Sequence, residues 1–302
     1  MKNSLQGWIN LYKPVGISSF SAIHQIKKKF NINKLGHAGT LDPNAEGILP
    51  IAINKTTKLI PFVNHNLKKY SFVLKWGQQT LTDDSEGEVI NSSNKIPQDS
   101  EITSILSSFT GYVEQIPPKA SAVKVNGVRA YKFLRNKKNF TLNSKKVLLN
   151  SITLKSSNIN SSFFEIECGK GFYVRSLGRD MAEKLNTYGH VTHLKRTKVG
   201  SFKIKTSILL DELLKIGQSE FEFNFVHSSI SMLDDILAYE IEEKNDLLNL
   251  SLGRSIFINK KKLIKKPLNS DKKELVFLSS KENIVSYGKL NGDLFEPKKV
   301  LI

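Results

Sequence analysis

Apolar residues fall on alternate positions over residues 70–76, with Tyr70, Phe72, Leu74 and Trp76 on one face, which predicts a half-buried strand. Residues 163–168 carry the same signal and are followed by Gly169-Lys170-Gly171. An earlier strand is predicted over residues 8–12, stopped by Lys13-Pro14-Val15-Gly16. Elsewhere the period lengthens to that of a helix. Ser18 or Ser19 caps a helix with Ile23, Ile26 and Phe30 inside and Lys27, Lys28 and Lys29 outside. Ile102, Ile105, Leu106 and Phe109 mark a second helix, ending at Gly111, and Val174, Leu177, Met181 and Leu185 a third, closed by Gly189. A fourth runs through Leu210, Leu213 and Leu214 to Gly217.

Strands interspersed with helices, without regular βαβ repeats, predict an α+β domain over residues 1–238, with a mixed, mainly antiparallel sheet. The pattern changes near Tyr239. Short strand-like runs at 255–258, 275–278 and 284–290, then a turn at Asn291-Gly292 and a last run, predict a small β-rich module over residues 239–302. Pro117-Pro118 opens a basic, irregular stretch over about 117–146, in which Tyr131, Phe133 and Phe140 are interleaved with lysines and arginines. That mixture fits RNA backbone contact and base stacking, and equally a solvated insertion. The lysine run at 260–266 reads in two ways as well, as an RNA-facing loop or a solvated hairpin tip.

Charge narrows the class of partner. With 45 Lys and Arg against 28 Asp and Glu, the chain carries a formal charge of +17, which points to a polyanionic partner, nucleic acid or an acidic membrane surface. Part of the lysine content also fits the compositional bias of an AT-rich genome. The N-terminal residues lack the pattern of a signal peptide, and no apolar stretch approaches the roughly 20 residues of a membrane helix. A single cysteine, Cys168, excludes an internal disulfide and a multi-cysteine zinc site. The expected setting is a reducing cytoplasm.

The candidate chemistry centres on residues 36–50, Gly-His-Ala-Gly-Thr-Leu-Asp-Pro-Asn-Ala-Glu-Gly-Ile-Leu-Pro. Glycines and Pro43 restrict this loop, so the Asp42 carboxylate is held in one place. An Asp-Pro turn alone is ordinary turn chemistry. The chain shows no Gly-x-Ser-x-Gly elbow, Walker lysine or dinucleotide fingerprint, and His190 and His193 lack companion metal ligands.

The whole run resembles the signature of the TruB family of bacterial tRNA pseudouridine-55 synthases. The resemblance covers residues 8 to about 235 and includes four further blocks: residues 13–19, 121–131, 169–177 and 193–202. It implies that Asp42 is the catalytic nucleophile and that His37 helps displace the target base. Tyr70 would stack on the flipped uracil, although the strand pattern alone makes it a core residue. Tyr173 and Arg175 would lie in the active site, where Arg175 could pair with Asp42. Leu194 would line the uracil pocket, Arg196 would be structural or a phosphate contact, and Lys13 would be a further site residue. Residues 117–146 would be an RNA-clasping insertion, and 239–302 a PUA-like RNA-binding domain.

The implied reaction is isomerisation of uridine 55 in the T-loop of tRNA, with no metal or organic cofactor, by a monomer without an obligate protein partner or membrane. A same-fold synthase acting on another RNA, and an RNA-binding or RNA-folding protein without catalysis, are the rival readings. Leu81 stands where the family often has Asp, which weakens the case for a role of the turn at 83–87, and Glu46 stands where Ser or Thr is frequent.

Overall fold

A computed structural model describes residues 5–63, 67–267 and 275–302. Part of the N-terminal stretch read for a leader (residues 1–4) and of the β-rich module (268–274) lies outside the described residues.

In chain order the elements are β1 (Gly7–Lys13), α1 (Ser19–Lys29), β2 (Leu35–His37), β3 (Ala45–Ile53), α2 (Ile60–Val63), β4 (Lys68–Trp76), β5 (Gln78–Thr80) and β6 (Val89–Ser92). Then come α3 (Asp99–Leu106), β7 (Gly111–Gln115), β8 (Lys124–Val125), β9 (Val128–Arg129), α4 (Ala130–Arg135), β10 (Lys145–Ser157), β11 (Ser161–Cys168), α5 (Val174–Lys184) and β12 (Gly189–Val199). The remainder is β13 (Phe202–Lys203), β14 (Ile208–Leu209), α6 (Leu210–Leu213), α7 (Gln218–Glu220), β15 (Leu237–Glu240), α8 (Lys244–Ser251), β16 (Ile256–Phe257), β17 (Leu263–Lys265), β18 (Val276–Ser280), β19 (Asn283–Asn291) and β20 (Leu294–Val300). The chain divides into two units: one holds Met1–Leu41, Ile48–Asn64 and Gly200–Ile302, the other Asp42–Gly47 and His65–Val199.

In the first unit β1 lies between β14 and β3, and β2 pairs antiparallel with β3. Strand β1 is buried along nearly its whole length, with Trp8 donating through its indole N–H to the Ser229 carbonyl at 2.9 Å. Ser18 caps α1 by accepting from the Ser21 N–H at 3.0 Å, and three lysines in the last turn suit the negative end of the helix dipole. Inside α1, the buried Ser19 hydroxyl accepts from the Leu41 N–H at 2.9 Å and donates to the Leu41 carbonyl at 2.8 Å. Both backbone groups of the residue just before Asp42 are thereby fixed. Near the C-terminus a separate six-stranded sheet runs in the order β16-β20-β19-β18-β15-β17 around Leu250, Leu278 and Phe295.

In the second unit the first residues of β3 lie beside β12, followed by β4, β11, β10 and β7. The β3–β12 pair is parallel and the rest are antiparallel, so the sheet is mixed but mainly antiparallel. Leu177, Met181 and Ala182 of α5 and Ile102 of α3 close over Phe72, Leu74, Trp76, Phe164 and Ile166. The fold class is therefore α+β with an additional β module. Among the described residues no helix is long and apolar enough to cross a membrane.

Several elements depart from the sequence pattern. The stretch over 117–146 is not irregular throughout, since it folds the β8–β9 hairpin and α4 and enters β10 at Lys145. Strands β10 and β12 escape the alternation test because register shifts interrupt both. The helix over 102–109 finishes as a 3-10 turn, and Gly111 opens β7 instead of merely ending the helix. The helix expected from Leu210 to Gly217 is only α6, one turn long. Within the run at 260–266, Lys260–Lys262 form a 3-10 turn and Leu263–Lys265 the edge strand β17, with Lys260 pairing with Asp293 at 2.7 Å and Lys262 with Glu242 at 2.8 Å.

Gly47 is required by packing. Its φ is +108°, and a Cβ there would sit 2.2 Å from the Arg196 carbonyl of β12. Gly47→Ala is expected to cost about 2 kcal/mol or more, read as a lower urea midpoint at unchanged slope.

Candidate active site

Position 175 is an unfavourable place for a cation in isolation. Arg175 is the second residue of α5, near the positive end of the helix dipole, and its side chain is 5 % exposed. Four acceptors offset this. Nη2 lies 2.9 Å from Asp42 Oδ2 and donates to the Ala120 carbonyl at 3.1 Å. Nη1 lies 3.2 Å from Asp84 Oδ2 and donates to the Thr82 carbonyl at 2.9 Å. A planar fork meeting two carboxylates and two carbonyls is fixed in orientation as well as in place.

Asp42 opens the loop ahead of β3. Its carbonyl accepts from the Ala45 N–H at 3.1 Å, and its side chain remains 39 % exposed while Arg175 is buried. The carboxylate therefore presents one edge to solvent and the other to the guanidinium. The adjoining cleft is lined by Asp42, Asn44, Ala45, Asp84, Arg175, Val191 and Leu194. Leu194 stands at the register position opposite both Ala45 of β3 and Phe72 of β4.

Both tyrosines lie within the field of this pair. Tyr70, near the start of β4, is opposite Arg196, whose guanidinium donates to the phenol oxygen. Burial raises the Tyr70 pKa, with the Arg196 charge acting the other way. Tyr173 is the residue before α5, and its phenol pKa is raised by burial while Arg175 pulls it down and Asp42 pushes it up. The Gln115 side chain braces the Tyr173 backbone: its Oε1 accepts from the Tyr173 N–H at 2.8 Å, and its Nε2 donates to the Tyr173 carbonyl at 3.0 Å.

Asp42, Tyr70, Tyr173, Arg175 and Leu194 thus belong to one unit. Two other residues singled out in the sequence belong to the other unit. His37 ends β2, opposite Ile51 of β3. Lys13 is fully buried, and its ammonium donates to the Pro14 and Ile17 carbonyls, both at 2.7 Å, so it braces its own loop.

The turn that Leu81 seemed to disqualify does contribute to the site. Asp84 and the Thr82 carbonyl both hold Arg175, while Asp84 accepts from the Thr82 hydroxyl and from the Glu86 N–H. In the sequence these residues read only as a turn; two adjacent aspartates beside a threonine were the available signal. Glu46, the other departure, lies 3.7 Å from the Lys195 ammonium and 3.3 Å from His193 Nε2 on the neighbouring strand. Among the described residues no group of three or more His, Cys, Asp or Glu side chains converges as a metal ligand set.

Residues 27–174 match the model for the N-terminal domain of TruB family pseudouridylate synthases, and residues 175–238 match that of the tRNA pseudouridylate synthase B C-terminal domain. The chain belongs to the TruB family. A relative from Ehrlichia ruminantium, named tRNA pseudouridine synthase B, is 43% identical over 82% of this chain and 87% of its own length. Another of that name from Agrobacterium fabrum is 35% identical over 98% of this chain and 94% of its own. The fold resembles a chain in the crystal structure of a Cbf5-Nop10-Gar1 complex, with a TM-score of 0.73 and 22% identity over 98% of this chain and 85% of that one. That likeness concerns the fold.

Behind Tyr70 on the same strand face lies Lys68, which is 7 % exposed. Burial, reinforced by the nearby Arg196 charge, lowers its pKa to about 8. The unfolded chain then binds the extra proton between about pH 8 and the usual 10.4, so folding stability gains from this residue as pH rises through that window. Lys68→Met is expected to be more stable than the parent at pH 7, with the difference shrinking towards pH 10 in urea unfolding curves. A difference independent of pH would contradict the assignment.

Proposed function

We propose that this chain isomerises uridine 55 in the T-loop of tRNA to pseudouridine, with Asp42 as the nucleophile. The observation that carries the reading is the Asp42–Arg175 pair at 2.9 Å, with the carboxylate half-open to a cleft in a TruB-family chain. Its relatives' name, tRNA pseudouridine synthase B, supports tRNA as the substrate class.

The reaction breaks the bond from ribose C1′ to uracil N1 and forms one from C1′ to C5. The C5 proton leaves and N1 ends protonated, so nothing is oxidised or reduced. A stacked target base must first be flipped out, at a cost of a few kcal/mol. In this reading His37 helps displace it, Tyr70 stacks on it and Leu194 lines its pocket. Arg175 aims the Asp42 carboxylate at the flipped nucleotide, so the attack needs no reorientation of the charged group. Tyr173 takes or relays the proton lost from C5.

The basic insertion at 117–146 and a PUA-like module at 239–302 hold the RNA by phosphate contact and stacking. The protein works in the cytoplasm as a monomer, without an obligate protein partner. The exposed Lys132, Arg135, Lys137 and Lys138 favour the insertion as the stronger electrostatic contact. Lys260 and Lys262, by contrast, already pair with carboxylates.

Asp42→Asn is expected to abolish tritium release from tRNA labelled at uracil C5, a loss of about a thousandfold or more, while tRNA affinity stays within about twofold. Undiminished release would overturn the assignment of the nucleophile. Replacing Lys132, Arg135, Lys137 and Lys138 by Ser is expected to flatten the salt dependence of tRNA binding by about 0.9 in log–log slope for each phosphate left without its cation. The same measurement on the lysines at 260 and 262 should show a smaller change.

A further inference from the structure

The root of the basic insertion is tied to the helix that supplies Arg175, and the ties are made by side chains. Pairing of β7 with β10 ends at Gln115, opposite Lys145. The next carbonyl, that of Ile116, accepts from the Ser176 hydroxyl at 2.7 Å and from Arg179 Nη2 at 2.9 Å, both on α5. Ala120, farther along, is held by the same Arg175 Nη2 that holds Asp42. Arg179 also reaches the turn ahead of β6: its Nη1 lies 2.9 Å from Asp83 Oδ2, and its other nitrogens bond Asp180. Asp83 adjoins Asp84, the second carboxylate on Arg175.

We propose that Arg179 and Asp83 are positioning residues forming a latch, which aligns Arg175, and through it Asp42, when the root of the insertion is docked on α5. The inference rests on the reading of Asp42 as the nucleophile and of residues 117–146 as the RNA clasp.

Three features support it. The links at Ile116 and Ala120 lie outside the sheet, so they can open and close without unpairing β7 from β10. One nitrogen, Arg175 Nη2, serves Asp42 and Ala120 together, so undocking the root removes one of the two acceptors that orient that end of the guanidinium. Asp83 is also held at a cost. It is 6 % exposed and adopts φ +60°, a left-handed conformation unfavourable for a residue other than glycine. The charged groups acting on its carboxylate are Arg179, Arg175 and Asp180, all of α5, while its backbone carbonyl accepts from the Val191 N–H of β12 at 3.1 Å. Burial raises the Asp83 pKa to about 6, and the two arginines lower it by less. Below that pH the carboxyl becomes neutral and Arg179 keeps Asp180 but loses the charge that ties it to the turn ahead of β6.

The test compares the parent, Asp83→Asn, Arg179→Gln and Arg179→Lys in single-turnover pseudouridine formation, tRNA affinity and thermal unfolding between pH 5 and 8. Asp83→Asn and Arg179→Gln should each slow the bound-state rate about tenfold to a hundredfold, with affinity and melting temperature little changed. Arg179→Lys should recover part of the rate, and a chain carrying both Asp83→Asn and Arg179→Gln should be no slower than the worse single variant. The parent should lose rate as pH falls through about 6, whereas Asp83→Asn should lack that limb. Unchanged rates, or losses that follow melting temperature, would overturn the latch. Activity surviving in Asp42→Asn would instead strike the underlying functional reading.

Discussion

A guanidinium buried at the N-terminal end of a helix cannot be left without anions, and this constraint organises the second unit. Arg175 is placed there by α5, and its fork is filled from three separate stretches of chain: the Asp42 loop, the Thr82–Asp84 turn and the root of the insertion at Ala120. Removing one partner of such a buried group typically costs about 3–5 kcal/mol, because the remaining charge stays desolvated. The three stretches therefore hold each other in place through one side chain. A carboxylate fixed in this way faces the cleft in one orientation.

The backbone supports the same point from the other side. Ser19 bonds both polar groups of Leu41, and Gly47 permits β3 to approach β12 where any side chain would strike the Arg196 carbonyl. Asp42 lies between these two restraints. The loop is thus held by its backbone on both sides of Asp42 as well as by the Asp42–Arg175 pair.

Cys168 and Lys68 show how a hydrophobic face treats polar groups next to a site. They stand opposite each other on β11 and β4, and burial drives the thiol up to about 12 and the lysine down to about 8. Neither shift needs a catalytic explanation, since desolvation alone disfavours both charged forms. Tyr70 sits on the same face with its phenol turned to Arg196, so a core residue by pattern also lies within the field of Asp42. Period-two alternation identified that face correctly. It could not show that Tyr70, at one end of that face, stands opposite Arg196.

The sequence by itself determined the family, through the resemblance of its motif blocks, and, from its pattern, the α+β class, helices α1, α3 and α5 and strands β1, β4 and β11. The class and the elements rest on local properties: glycine and proline angles, capping residues, and apolar spacing over a few turns or pleats. It also contained the acidic turn at 83–87 but gave no reason to connect it with the site. Only the tertiary structure decided that Asp84 shares Arg175 with Asp42, and that Gln115, Ser176 and Arg179 tie the insertion to α5. Those contacts join residues separated by 58 to 133 positions, several of them through side chains bonding to backbone carbonyls. A carbonyl is present at every residue whatever its side chain. No pattern in one sequence can therefore mark which carbonyl a distant arginine will find; packing of the sheet against α5 makes that choice.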